Sequence, residues 1–377
     1  MRGDDVNGPE PQAATAADVV AADLAYIVRG ARDEFVAMAG RRILITGGAG
    51  FLGYYLVQSL LFWNDQIEPE QRIAVTVFDS YVRGAPTWLI DLTGRHDLTL
   101  ATQDMTRPLP AVMPRVEYVI HGASIASPTY YRKYPIETMD ANVTGLRNLL
   151  DYALDGDVHG IMFMSSSEIY GDPTPDSIPT REEYRGNVSC TGPRACYDEA
   201  KRYGETLCVN FARARGVPVK VARPFNNYGP GLKITDRRVL PDFARDIMAG
   251  GDVVMLSDGS PTRTFCYSAD AVIGYLKVLV RGRPGEAYNI GVEGPEISIL
   301  ELAERLVTIA RDVVGYGGRV VRQASGDSDY LLDNPSRRCP DITKARRELE
   351  FDPRVTLDEG LRRLLVWYSG NRDAEDA

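Results

Sequence analysis

A chain of 377 residues with 44% apolar and 25% charged side chains can bury a large core, and its length suits one large or two coupled domains. A formal charge of −9 argues against a nucleic-acid surface, which needs clustered Lys and Arg. Five cysteines without CxxC spacing and three histidines (His96, His121, His159) without ligand spacing exclude a disulfide framework and a zinc site, and no segment reads as a signal peptide or membrane span. The sequence therefore predicts a cytoplasmic protein with no metal and no membrane partner.

Residues 1–16, rich in Gly, Pro, Ala and Asp, carry little to bury and are expected to be mobile. From Ala17 the pattern changes. Val19, Val20, Leu24, Ile27, Val28 and Phe35 recur at helical spacing through Met38 and predict one or two helices ahead of the main fold. Such an amphipathic extension is expected to pack on its own domain, with a subunit contact as the alternative. Arg42–Thr46 reads as a buried strand running into Gly47-Gly48-Ala49-Gly50-Phe51-Leu52-Gly53, followed by a helix to about Trp63. Strand, glycine turn and helix in that order predict a dinucleotide site. The glycines permit the tight turn, the close approach of backbone to a pyrophosphate and helix-on-strand packing, and the helix N-terminus faces the phosphates. The next strand, 73–78, leads to Asp79, whose carboxylate suits a ribose 2′-hydroxyl and repels a 2′-phosphate. That favours NAD over NADP, a preference weakened by Arg83 close by.

Segments 98–101, 116–120 and 161–164 read as the next three strands. His121, at the end of 116–120, is expected to pack rather than catalyse, and Gly122-Ala123-Ser124 beyond it is small enough for close approach. Segment 128–135, with three tyrosines, Arg132 and Lys133, reads as a loop, and 136–154 as a helix. In 192–205, Ala, Lys, Arg and Glu favour helix, so Tyr197 and Lys201, four apart, share a face. A free tyrosine titrates near ~10 and must fall about three units to work at neutral pH, roughly 4 kcal/mol; a cation at about 4 Å in an effective dielectric of ~20 supplies as much. Lys201 is accordingly expected to make Tyr197 a base. Segment 217–222 reads as another strand, with the sheet expected to end at Pro224, which cannot donate to a ladder. Helix 241–250, strand 286–290, a helix capped by Ser298 and Glu301 and running to about Val313, helices 343–349 and 357–367, and a frayed tail 371–377 complete the reading.

Gly47 to Gly53, Ser165-Ser166-Ser167-Glu168 and Tyr197…Lys201 together resemble the extended short-chain dehydrogenase/reductase family over about residues 41–370. The resemblance implies an α/β fold, a Rossmann-type doubly wound parallel sheet with a smaller C-terminal α/β substrate-binding domain. It divides the chain into an extension (1–40), an NAD-binding domain (41–224 plus about 265–290) and a nucleotide-sugar domain (225–264 and 291–370). It also implies tightly bound, recycled NAD held by Gly47, Gly50, Phe51, Leu52, Gly53, Asp79, Asp104, Tyr197 and Lys201, and a homodimer built on the helices bearing Tyr197 and Asn142. Asn142 has a structural role in that comparison. Ser166 is implied to share the proton work with Tyr197.

The family's 4,6-dehydratases carry Thr-Asp-Glu at 166–168, the aspartate protonating a departing hydroxyl; Ser167 here cannot be that acid. With Glu168 retained, the run resembles the UDP-glucuronate decarboxylases of the family, and so does Thr262-Arg263-Thr264-Phe265. That implies catalytic Tyr197, Lys201, Ser166, Glu168 and Arg263. It also implies substrate contacts from Ser167, Asn226, Lys233, Arg238, Val239, Arg263 and Tyr267 to a UDP-sugar, with Arg337 or Arg338 reaching the nucleotide. A 4-epimerase, a 4,6-dehydratase and a non-catalytic NAD sensor are the alternatives, and the Tyr/Lys pair weighs against the last.

Overall fold

Ile43, Leu44 and Ile45 alternate along β1 (Arg42–Thr46), and each is buried, because side chains of successive strand residues point to opposite faces and both faces of this strand are covered. The same holds for β4 (Tyr118–His121) and β5 (Gly160–Met164), where every residue is buried. With β2 (Ala74–Asp79), β3 (Leu98–Thr102), β6 (Val219–Pro224) and the strand Ala287–Ile290 they form one seven-stranded parallel sheet in the order Ala287–Ile290, β6, β5, β4, β1, β2, β3. This is the doubly wound α/β arrangement expected. The structure, a computed structural model, describes residues 15–325 and 332–371; the mobility and fraying expected for 1–16 and 371–377 fall almost wholly outside them.

One face of the sheet, carrying Ile43, Ile45, Ile120 and Met162, is covered by α3 (Phe51–Asn64) and the helix Ser268–Arg281. The other, carrying Leu44, Val119, Ile161 and Phe163, is covered by the helices Pro135–Tyr152 and Ala195–Arg215. Ser298 and Glu301 make the expected capping box at the start of the helix Ile299–Val314. Among the described residues three small sheets lie in the C-terminal part, one of them joining Thr262–Arg263 to Ile297–Ser298 and Arg337–Arg338. They share a continuous core with the first face of the main sheet. One expectation fails: 128–135 is not a loop, since Pro128–Lys133 forms a short helix with proline at its first turn, where the missing N–H costs nothing. No helix among the described residues is long and apolar enough to cross a membrane.

The N-terminal segment forms α1 (Ala16–Gly30) and α2 (Arg32–Met38), and α1 packs on α3, on the helix Ser268–Arg281 and on the last helix, Leu357–Gly370. Its anchor is polar. Asp23 is fully buried and accepts bonds from the hydroxyls of Tyr55 and Tyr267 (2.5 Å) and from Arg363 Nη1 (2.5 Å). Burial raises the Asp23 carboxyl above its usual range, with the Arg363 charge opposing. The extension therefore packs on its own domain. Replacing Asp23 by Ala strips a carboxylate from two tyrosines and a guanidinium and is expected to cost about 3 kcal/mol or more in urea unfolding. A loss below ~1 kcal/mol would mean that α1 merely lies on the surface.

Candidate active site

In a doubly wound sheet the crevice opens at the carboxyl ends of the strands where the order reverses, here between β1 and β4. A cleft of ≈ 1620 Å³ lies there. Its floor is the turn after β1. Gly47 has φ +71°, and a Cβ on it would lie 2.7 Å from the Ala123 backbone; one on Gly53 would lie 2.0 Å from the Gly48 carbonyl oxygen. No side chain fits at either position. Gly50 caps α3, so the free N–H groups of its first turn, beginning at Phe51 and Leu52, face the cleft. Asp79, at the tip of β2, accepts from the amides of Ala49 (3.0 Å) and Tyr81 (2.9 Å) and so is fixed beside the turn. Asp104 lines the same wall and bonds the Thr106 amide at 2.9 Å. A bare backbone cradle, a helix N-terminus and an acidic residue together fit the pyrophosphate and ribose of a dinucleotide.

Tyr197 and Lys201 lie on the first turns of the helix Ala195–Arg215, and both line the cleft. Tyr197 stacks on Tyr131 (centroids 5.1 Å apart, 12° between planes) and shares a hydrogen bond with Ser166, the residue that opens the turn Ser167–Tyr170 after β5. The electrostatics differ from the sequence expectation. Burial pushes the Tyr197 hydroxyl up to about 12 despite the Ser166 bond and the Arg238 charge. Burial also brings the Lys201 ammonium down to about 7. Lys201 Nζ donates to the Met164 carbonyl at 2.6 Å and sits 5.6 Å from the Tyr197 ring centre. A lysine half-discharged by desolvation and turned to a carbonyl does not lower the tyrosine as a full, adjacent charge would. His121 packs as expected: it is buried, bonds Thr46 (2.7 Å), stacks on Phe163, and is driven down to about 3 by burial.

Glu168 occupies the inner end of the cleft. It is gripped by Arg194 and by Arg338 (3.0 Å), and Arg338 also bonds the carbonyls of Ser167 and Gly171. Burial alone would raise Glu168; the charges of Arg194, Arg338 and Arg263 hold it down at about 2. Asp198, one turn beyond Arg194, has its Oδ2 3.8 Å from Arg194 Nε, and burial with the Glu168 charge lifts it to about 8. Arg263 lines the cleft and bonds the carbonyls of Thr262 (2.7 Å), Pro335 (2.5 Å) and Ser336 (3.2 Å); burial and the neighbouring Arg338 charge lower it to about 10. Sequence reading assigned no role to Arg194 or Asp198. Arg194 lies three residues before Tyr197, one helical turn, which is the signal that was available.

Ser167, Asn226, Lys233, Arg238 and Val239 all line the cleft, Asn226 with φ +40° and its amide on the Thr264 carbonyl (2.9 Å). Tyr267 does not. It is fully buried with its hydroxyl on Asp23, because its two-residue strand pairs with Asn227–Tyr228 beneath the cleft wall. The expected substrate contact from Tyr267 is thus corrected to a core contact. Arg337 pairs with Glu296 (2.7 Å) and Arg338 with Glu168 (3.0 Å), and neither lines the cleft. Asn142 is buried in its helix and bonds the Thr138 carbonyl at 2.8 Å.

A family model described as the NAD dependent epimerase/dehydratase family matches residues 43–291. UDP-glucuronic acid decarboxylase 5 of Arabidopsis thaliana is 36% identical over 330 residues, covering 88% of this chain and 90% of that protein. UDP-glucuronic acid decarboxylase 1 of Xenopus tropicalis is 36% identical over 328 residues, covering 87% and 72%. Among solved structures, the epimerase Mth375 of Methanothermobacter thermautotrophicus superposes with a TM-score of 0.77 at 28% identity, over 91% of this chain and 96% of that one. A dTDP-glucose 4,6-dehydratase of Streptomyces venezuelae with NAD bound gives 0.75 at 28%, over 88% and 98%.

Glu168→Gln leaves buried guanidiniums without their carboxylate and is expected to cost about 3–5 kcal/mol at neutral pH. A carboxyl held at about 2, below its ordinary 4.5, stabilises the fold above 4.5, and that contribution is lost as the pH falls toward 2. The stability gap between the native protein and the variant should therefore narrow below about pH 4.5; a gap independent of pH would contradict the ion-cluster account.

Proposed function

The chain belongs to the NAD dependent epimerase/dehydratase family and is an NAD-dependent enzyme acting on nucleotide sugars, and within that class we propose that it converts UDP-glucuronate to UDP-xylose and carbon dioxide. What carries this reading is the charge around Glu168. Three guanidiniums, those of Arg194, Arg263 and Arg338, gather around Glu168, with Asp172 the further carboxylate acting on Arg263, while burial and the Glu168 charge push Asp198 toward its neutral form. Arg263, lowered to about 10 by burial and the Arg338 charge, spends its bonds on the neutral oxygens of Thr262, Asn334, Pro335 and Ser336. A neutral hexose gives that cluster no further negative charge; the carboxylate of a uronate does. Ser167 offers no acid for a 4,6-elimination, and a 4-epimerase gives Glu168 no part in the chemistry beyond its grip on Arg194 and Arg338.

In this scheme Tyr197, bonded to Ser166, takes the proton of the C4 hydroxyl at its phenolic oxygen. Bound NAD would supply the reversible two-electron oxidation at C4, and its positive charge would favour the phenolate of Tyr197, the phenolic proton having passed to solvent before turnover. The sugar is then a β-keto acid. The C5–C6 bond breaks, carbon dioxide leaves, and the electron pair moves to the C4 oxygen. Glu168, kept ionised, orders the water that protonates C5, and Arg263 stabilises the charge that develops. Tyr197 returns its proton to the C4 oxygen on re-reduction, so the scheme has no net redox change and would suit a tightly held NAD.

Lys201 would bond the nicotinamide ribose, and the glycine turn, Asp79 and Asp104 would hold the rest of the dinucleotide. Ser167, Asn226, Lys233, Arg238 and Val239 would hold the UDP-sugar. The same proposal divides the chain into an extension (1–40), a cofactor domain (41–224 with about 265–290) and a substrate domain (225–264 and 291–370), in a cytoplasmic homodimer. Exposed Ile136, Met139 and Tyr203 on the two helices concerned support that pairing.

Purified protein given UDP-glucuronate without added NAD is expected to release carbon dioxide and form UDP-xylose, read by mass and proton NMR. Tyr197→Phe should lower turnover at least ~10²-fold while leaving the co-purified NAD in place. No carbon dioxide, even with NAD supplied, would overturn the decarboxylase and make neutral UDP- and dTDP-hexoses the next substrates.

A further inference from the structure

Arg83 sits four residues beyond Asp79, in the segment that leaves β2 on the ribose side of the cleft. An arginine in that neighbourhood is the usual means of accepting a dinucleotide 2′-phosphate. Here it is engaged elsewhere. Its Nη1 bonds Asp236 Oδ1 at 3.1 Å, and its guanidinium carbon lies 4.9 Å from the centre of the Tyr130 ring.

Asp236 is built to hold that position. It is 5% exposed, its carbonyl accepts from Ser127 Oγ (2.8 Å), its amide bonds the Lys233 carbonyl (3.0 Å), and its Oδ2 lies 2.9 Å from Arg238 Nε. The next residue, Arg237, adopts φ +62°, a conformation that a non-glycine residue takes at a cost, as Asp236 turns inward and Arg237 outward. Arg83, Tyr130 and Asp236 line the same cleft as Asp79 and the glycine turn.

We propose that Asp236 is a specificity-determining residue for the cofactor: by holding Arg83 against itself and Tyr130, it denies a 2′-phosphate the only cation that the β2 tip carries within four residues of Asp79. A 2′-phosphorylated dinucleotide then meets the Asp79 carboxylate with Arg83 turned away from it. Asp236 comes from the far wall of the cleft, outside the glycine turn and the β2 tip, so cofactor choice is set across the cleft. The inference rests on the reading of this cleft as a dinucleotide site.

The test measures binding of NAD and of NADP to protein stripped of dinucleotide, by titration calorimetry in the absence of any sugar nucleotide. The native protein should prefer NAD. Asp236→Asn should raise the affinity for NADP relative to NAD by about tenfold or more, the scale of one charge-assisted arginine–phosphate contact. Adding Arg83→Ala to it should return the ratio to the native value, and Arg83→Ala alone should leave NAD affinity within about twofold. An unchanged ratio in Asp236→Asn with NAD still bound overturns the inference, as does a gain that survives in the double variant. If Asp236→Asn does not fold, Arg83→Ala decides alone, since a large loss of NAD affinity would put Arg83 on the cofactor. Failure of the native protein to bind either dinucleotide would instead sink the reading of the cleft, and this inference with it.

Discussion

The buried cluster of Glu168 with Arg194 and Arg338 is the constraint on which the site depends. Its three members come from the turn after β5, from the start of the Tyr197 helix and from the Arg337–Arg338 strand near the C-terminus. A carboxylate or guanidinium taken out of water alone carries a penalty of several kcal/mol, repaid only when partners and hydrogen bonds are complete. The three segments therefore have to dock together. Arg338 spends its donors on Glu168 and on the carbonyls of Ser167 and Gly171, which also fixes the turn that presents Ser166 to Tyr197. The ion cluster and the Ser166–Tyr197 pair are in this way one rigid unit.

Burial governs the chemistry of that unit more than pairwise attraction does. Tyr197 at about 12 and Lys201 at about 7 have moved in opposite directions, each toward its neutral form, as desolvation requires. Glu168 and Asp198 share Arg194 and are driven apart, to about 2 and about 8, because two carboxylates beside one cation do not both ionise cheaply. The result is an ionised acid facing the cleft and a protonated one behind it. That split gathers the guanidiniums of Arg194, Arg263 and Arg338 around an ionised Glu168 at the inner end of the cleft, the arrangement on which the proposed uronate substrate rests.

The N-terminal helices take part in the same economy of burial. Asp23 on α1 reaches Tyr55 on α3, Tyr267 below the cleft wall and Arg363 on the last helix, so the helix that begins at the glycine turn is tied to both chain ends. One core runs from the sheet into the C-terminal part, so both walls of the cleft rest on the same packing.

Much of this was legible in the chain itself. Strands buried on both faces read as short apolar runs, Gly47 to Gly53 declared a turn that tolerates no side chain, and the four-residue spacing of Tyr197 and Lys201 placed them on one helical face. Those features are local, set by backbone sterics and by helical and strand periodicity. The titration of Tyr197, the burial of Tyr267, the capture of Arg338 by Glu168 and the diversion of Arg83 to Asp236 were not legible, because each depends on partners tens to hundreds of residues away. Local stereochemistry marked the glycine turn and the shared face of Tyr197 and Lys201, and the family resemblance those motifs carry implied the fold class and the other cleft residues. Which charges those residues carry, and toward which partner each arginine turns, was decided only by tertiary packing, through the water it removed and the neighbours it supplied.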